Sequence, residues 1–307
     1  MSCVRRLMRM ALVGFLVAAW FGLAPAARAQ TPDVRSIKDI PYATVDGRTL
    51  GLDLYLPSGV PNPALFVWVH GGAWRSGSKS TVPAGLTHGG FAVASVDFHL
   101  STEARFPAMV HDIKGAIRFL RANATKYGYR ADRIAIGGDS SGGHLAVLVG
   151  VTAGNAELEG TVGGNAGQSS AVQAILDYYG ATNLTTILAQ STPFGLGVRK
   201  PALDLLLGAQ PEDVKPLAEL ASPVFHIDAK DPPLLIFHGD QDPQMPINQS
   251  IELQGAYEKL NLESSFIAVH GAVHGGQVFY TGANLERAMT FLRSTIGDRR
   301  PPSQPTR

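Results

Sequence analysis

Arg133-Ile134-Ala135-Ile136-Gly137-Gly138-Asp139-Ser140-Ser141-Gly142-Gly143-His144-Leu145-Ala146 is the stretch on which the fold turns. An apolar, β-favouring run leads into Gly138-Asp139-Ser140-Ser141-Gly142, and Leu145, Ala146, Leu148 and Val149 beyond it suit a buried helix, so the segment reads strand, sharp turn, helix. Such a turn projects the Ser140 side chain above a sheet. The flanking glycines give it room, and the following helix N-terminus favours negative charge developing beside it. A Gly/Ser-rich turn without a role is the rival reading of the bare pentapeptide; the strand before it and the helix after it weigh against that reading and make Ser140 a candidate nucleophile.

Working outward, short and almost wholly apolar runs recur: Ala64–Val69 and Phe91–Val96 upstream, Leu234–Phe237 and Phe266–Val269 downstream, and a further strand ending near Tyr179. Strands apolar on both faces belong to a parallel sheet that is covered twice. Ile40–Pro57 reads as an antiparallel hairpin turning at Asp46-Gly47, a pair that tolerates positive φ. Helical patterns lie between the strands. Met109, Ile113, Ala116 and Leu120 follow Pro107, with Lys114, Arg118 and Arg121 expected on the surface, and Leu285, Met289, Leu292 and Ile296 recur near the end. Strand alternating with helix predicts one doubly wound α/β domain over residues 30–296. Thr152–Ser170, rich in Gly, Asn, Ala and Ser, reads as a surface loop, and Thr182–Pro233 as a small, partly helical cap insertion. The proline-containing tail, residues 297–307, is expected to be disordered.

A composition with 45% hydrophobic and 17% charged residues suits a packed globular core. Arg5, Arg6 and Arg9 precede an uncharged run, Met10–Ala24, and Ala27-Arg28-Ala29 offers a small-x-small cleavage site, so residues 1–29 are expected to be a secretory signal. The run has 15 residues, short of the roughly 20 that span a bilayer, which argues against a membrane anchor. Cleavage would remove four arginines, leaving 26 − 4 = 22 basic against 25 acidic residues and a net charge of −3, which argues against nucleic acid as a partner. Cys3, the only cysteine, would leave with the signal, and with it any disulfide or thiolate chemistry. The expected location is the periplasm or the medium.

A serine nucleophile needs a base, and the base needs an acid that holds its tautomer. Leu234–Phe237 leads into His238-Gly239-Asp240-Gln241-Asp242-Pro243, and Phe266–Val269 into His270-Gly271-Ala272-Val273-His274-Gly275. Asp242 and His274 are favoured because each lies further into its loop; Asp240 and His270 stand as their rivals. Upstream, His70-Gly71-Gly72-Ala73-Trp74 follows a strand where a loop can lend backbone N–H groups to an oxyanion, with Gly72, Ala73 and Ser141 as the expected donors. Gly72 to Gly77 has the spacing of a phosphate-binding loop, but Ser78 separates Gly77 from Lys79 and breaks it. The His270/His274 spacing lacks the helix and glutamate of a metal-binding pair, so no metal is expected.

With Phe106-Pro107, Asp112 and Ser222-Pro223 added to these motifs, the chain resembles the α/β-hydrolase serine esterases over about residues 36–296, and within them the bacterial feruloyl-esterase-like and hormone-sensitive-lipase-like branch. The resemblance implies a mostly parallel eight-stranded sheet with helices on both faces. It also implies Ser140 as nucleophile, Asp242 as orienting acid and His274 as base, without a cofactor. It further implies hydrolysis of short-chain or aromatic esters, feruloyl or acetyl in type, on a small molecule or a polysaccharide. Trp74 and Phe194 are candidates for lining the substrate pocket. Two departures from that branch, Ala73 at the third small position and Asp97-Phe98-His99-Leu100 in place of a Tyr-Arg pair, bear on substrate preference. An amidase, arylformamidase or exopeptidase on the same fold, or a binding module, are the alternatives.

Overall fold

The computed structural model of the protein describes residues 33–297, so the expected signal and nearly all of the tail lie outside the described residues. β1 (Val34–Val45) and β2 (Arg48–Pro57) form the hairpin, with Val45 facing Arg48 across a turn in which Asp46 and Gly47 have φ of 48° and 82°. Both angles lie in the left-handed region that the twist of a two-residue hairpin demands. β3 (Ala64–Val69), β4 (Ala92–Val96), β5 (Arg130–Asp139), β6 (Ala174–Tyr178), β7 (Leu234–Gly239) and β8 (Ser264–Val269) complete an eight-stranded sheet in the order β1-β2-β4-β3-β5-β6-β7-β8. Only the pairings made by β2 are antiparallel; all the others are parallel.

Alternation within β3 shows why the central strands are apolar throughout. Leu65, Val67 and Val69 enter one core with Met109, Ile113 and Leu120 of the helix Ala108–Ala122, while Phe66 and Trp68 enter a second with Met289 and Leu292 of the helix Gly282–Thr295. Helices therefore cover both faces, and the parallel strands must be apolar on both. β8 departs from that pattern. It is an edge strand, and only its last residue, Val269, is buried.

Two expectations about the surface are corrected. Lys114 and Arg118 are buried, because the segment expected to be a surface loop folds over their helix. It carries a short helix, Ala156–Glu159, whose Glu159 takes a hydrogen bond from Lys114 Nζ at 3.1 Å and one from Arg118 Nη1 at 2.6 Å. Burial alone would lift the Glu159 carboxyl, but Ser170 and these two cations hold it below its ordinary range. Residues 182–233 contain the helices Ile187–Gln190, Pro193–Leu207 and Lys215–Leu220. The second of these begins beside the loop after β7.

Candidate active site

Ser140 sits between β5 and the fully buried helix Ser141–Val151, with φ 53° and ψ −119°. A non-glycine residue held there stores strain of about 1–3 kcal/mol, so its surroundings must fix it. They do so through the hydrogen bond from Ser140 N to Tyr178 O at 2.8 Å and through close packing at Gly142, where a Cβ would fall 2.2 Å from Val69 O. No side chain larger than hydrogen fits at that position.

Ser140 Oγ lies 2.9 Å from His274 Nε2, and His274 Nδ1 lies 2.6 Å from Asp242 Oδ2. The carboxylate accepts, so Nδ1 carries the proton and Nε2 presents its lone pair to the serine hydroxyl. The Asp242 side chain has no exposure, and its other oxygen accepts the N–H groups of Gln244 and Met245, each at 2.8 Å. Burial would raise its pKa, yet hydrogen bonds from His238 and His274 hold the carboxyl well below the usual range. Asp240 is placed elsewhere. It pairs with His270 at 2.7 Å on the surface, where the His270 side chain is 96% exposed. His238 is fully buried and bonds Ser250 Oγ at 2.7 Å and Met245 O at 3.0 Å, fastening the loop that carries Asp242.

The loop after β3 turns through positive φ at Gly72 (124°), Ala73 (53°) and Trp74 (60°). Among the described residues, the N–H groups of Gly72 and Ala73 and that of Ser141, at the start of its helix, have no protein acceptor. Gly72, Ala73, Ser140 and His274 border one cleft of about 360 Å³, together with Arg75, Ser76, Asp139, Tyr179, Val198, Gln244 and Gly275. Donors left unpaired at the helix start beside a strained serine are an arrangement that can receive a developing oxyanion.

The structure corrects the expectation for Trp74, which does not border the cleft. Positive φ turns its side chain inward, where it is 3% exposed, and its Nε1–H donates to His144 Nδ1 at 2.9 Å. His144 Nε2–H donates in turn to Ala221 O at 2.7 Å, and full burial lowers the pKa of this imidazole to about 4. Trp74 thus pins the loop rather than lining a pocket. Phe194 also lies outside the cleft lining: it is 61% exposed on the first turn of the helix Pro193–Leu207, and Val198, one turn further along the same face, borders the cleft instead.

Tyr179, Asp139 and Arg75 are among the residues of this site that sequence reasoning missed. Tyr179 packs edge-on against His274 with ring centroids 4.9 Å apart, its hydroxyl 2.8 Å from that of Tyr280. Its place directly after β6, where site loops gather, was the available signal. Asp139 stands inside the quoted motif and accepts the Gly71 N–H at 2.8 Å, tying the loop after β3 to the serine turn. Arg75 follows that loop and had no marker. Among the described residues, no group of three or more His, Cys, Asp or Glu is placed to hold a metal ion, and no helix is long and apolar enough to cross a membrane.

The BD-FAE family pattern matches residues 52–257, two thirds of the chain. Esterase LipC of Mycobacterium tuberculosis is 30% identical over 227 residues, which are 70% of this chain and 53% of LipC. The chain spans about half the length of the curated relatives it matches. Among solved structures, a truncated carbohydrate esterase from gut microbiota superposes with a TM-score of 0.76 at 29% identity, covering 87% of this chain and 97% of that one. The propionate-bound esterase Est2 of Thermogutta terrifontis gives 0.67 at 25% identity, covering 86% and 94%.

Proposed function

Since this chain belongs to the BD-FAE family of α/β-hydrolases, we propose that it is a secreted serine carboxylesterase acting on short-chain or aromatic esters, of acetyl or feruloyl type, carried by a small molecule or a polysaccharide. The observation that carries the reading is the unbroken chain of hydrogen bonds from Ser140 Oγ through His274 to the buried Asp242, set beside unpaired N–H groups. Ser140 Oγ attacks the ester carbonyl while His274 Nε2 takes its proton. The negative charge on the carbonyl oxygen is received by the N–H groups of Gly72, Ala73 and Ser141. His274 returns the proton to the leaving alcohol as the acyl–oxygen bond breaks, and the acyl group stays on Ser140. Water, deprotonated by the same imidazole, then releases the acid and restores the serine. Asp242 keeps Nδ1 protonated throughout and balances the imidazolium.

The size of the cleft supports a short acyl group, since about 360 Å³ lies near the lower end of small-molecule sites. Phe194, exposed one helical turn outside the cleft wall, offers a face on which an aromatic acid or a sugar ring can stack. The printed description of the gut-microbiota neighbour as a carbohydrate esterase points the same way. Export rests on the residues 1–29 pattern alone. The test is hydrolysis of 4-nitrophenyl acetate, butyrate and octanoate beside the Ser140→Ala protein. Rates should fall with chain length, and the variant should lose on the order of 10⁶ in kcat. Equal rates in the two proteins would overturn the reading.

A further inference from the structure

Most polar side chains bordering the cleft already have partners. Ser140 is joined to His274, and His274 to the Asp242 carboxylate buried behind it; Asp139 accepts the Gly71 N–H, Ser76 Oγ donates to Gly72 O at 2.9 Å, and the Tyr179 hydroxyl pairs with that of Tyr280. Two side chains do not. Among the described residues, neither the Arg75 guanidinium nor the Gln244 side-chain amide has a hydrogen-bond partner, and Arg75 enters no ion pair with any carboxylate. Both are half-buried at the cleft wall rather than free on the surface.

Arg75 is also held in place by its backbone. Arg75 N and Ser76 N both donate to Gly72 O at 3.1 Å, closing a tight turn directly after the positive-φ residues, and the preceding Trp74 is anchored through His144. The rigid turn fixes the point from which the Arg75 side chain leaves the backbone at the cleft wall. The guanidinium's planar fork of N–H donors matches a carboxylate with two parallel hydrogen bonds. The two acidic groups of the site do not cancel it. Asp242 is given over to His274, and Asp139 interacts with His274 and the Gly71 N–H.

Resting on the esterase reading above, the geometry points to Arg75 as a specificity residue that selects esters carrying a carboxylate, with the Gln244 amide free to bond the same group or a neighbouring hydroxyl. The substrate class is an acylated acid, such as an ester of a uronate sugar or of a dicarboxylic acid, rather than a purely neutral ester.

The test compares matched esters on the purified protein: 4-nitrophenyl monosuccinate against 4-nitrophenyl butyrate, which places the carboxylate on the acyl side, and 4-acetoxybenzoate against 4-acetoxybenzamide, which places it on the alcohol side. The readout is the ratio of kcat/KM within each pair, for wild type, Arg75→Gln and Arg75→Lys. The inference expects at least one ratio to favour the acid. Arg75→Gln should lower that ratio about tenfold or more, mostly through KM, with partial recovery in Arg75→Lys, which keeps the charge but not the fork. Ratios that Arg75→Gln leaves unaltered would overturn it, even with every ester turned over briskly. Failure of the esterase reading looks different: wild type would hydrolyse none of the four esters, or would do so no better than Ser140→Ala.

Discussion

Asp242→Asn and Asp240→Asn, made separately, test the assignment of the orienting acid most sharply. Asp242 is fully buried and 2.6 Å from His274 Nδ1, whereas Asp240 faces an exposed His270 that does not reach Ser140. An asparagine at 242 can still accept the Gln244 and Met245 N–H groups through its oxygen, so the loop should keep its shape. Its amide nitrogen, however, then faces Nδ1 as a donor. The imidazole must shed its Nδ1 proton and carry it on Nε2, where the ring can no longer accept from Ser140. The buried imidazolium that forms during reaction also loses its counter-charge. Together these should cost on the order of 10⁴ in kcat, or four decades at about 1.36 kcal/mol each, about 5.4 kcal/mol. Asp240→Asn removes only a solvent-screened surface pair and should stay within about threefold of wild type. The assay is kcat/KM for 4-nitrophenyl acetate, with thermal unfolding run alongside to confirm folding. A folded Asp242→Asn protein retaining more than a tenth of wild-type activity, or a larger loss from Asp240→Asn, would refute the reasoning.

Trp74→Phe keeps an aromatic ring but loses the pyrrole half of the indole and with it the donor to His144 Nδ1, stranding a buried acceptor at a cost of about 1–3 kcal/mol; the melting temperature and kcat should both fall, and a wild-type melting curve would show that this contact does not pin the loop. Asp177 is fully buried, and burial raises its pKa to about 7 from 3.8, with only the Gly180 N–H opposing. Its folded pKa is above its unfolded one, so the stabilisation is complete below about pH 3.8 and is lost as pH rises through about 7. Asp177→Asn should therefore melt above wild type at pH 8, by a margin on the order of 2–4 kcal/mol, and near it at pH 4; the same melting difference at both pH values would contradict this.

How much of this was legible in the sequence depends on the range of the forces involved. Strand, turn and helix around Ser140 follow from local rules, as does the ordering of Asp242 and His274 into loops beyond β7 and β8. Trp74 was misread because nothing in Ala73-Trp74 announces positive φ, and that backbone choice decides whether an indole faces the cleft or the interior. Lys114 and Arg118 were assigned to the surface because charge ordinarily stays there, and their partner Glu159 lies 45 and 41 residues away in sequence. The rivalry of Asp240 with Asp242 was a matter of two residues' reach, which only the placed side chains resolve. Arg75 had no signal at all, since an arginine becomes informative only once its missing partners are known.

Glu159 gives the 152–170 segment a meaning that its composition hides. A stretch written mostly in small and polar residues looks dispensable, the natural place to shorten the chain or splice in a tag. Yet one of its two carboxylates, Glu159, faces two cations sealed beneath it, and the Lys114 ammonium also donates to Thr152 O. Excising the segment would strip both cations of their counter-charge and lay bare the apolar core that Leu158 and Val162 cover, so an engineer seeking a permissive insertion point should look to the Asp46-Gly47 turn instead.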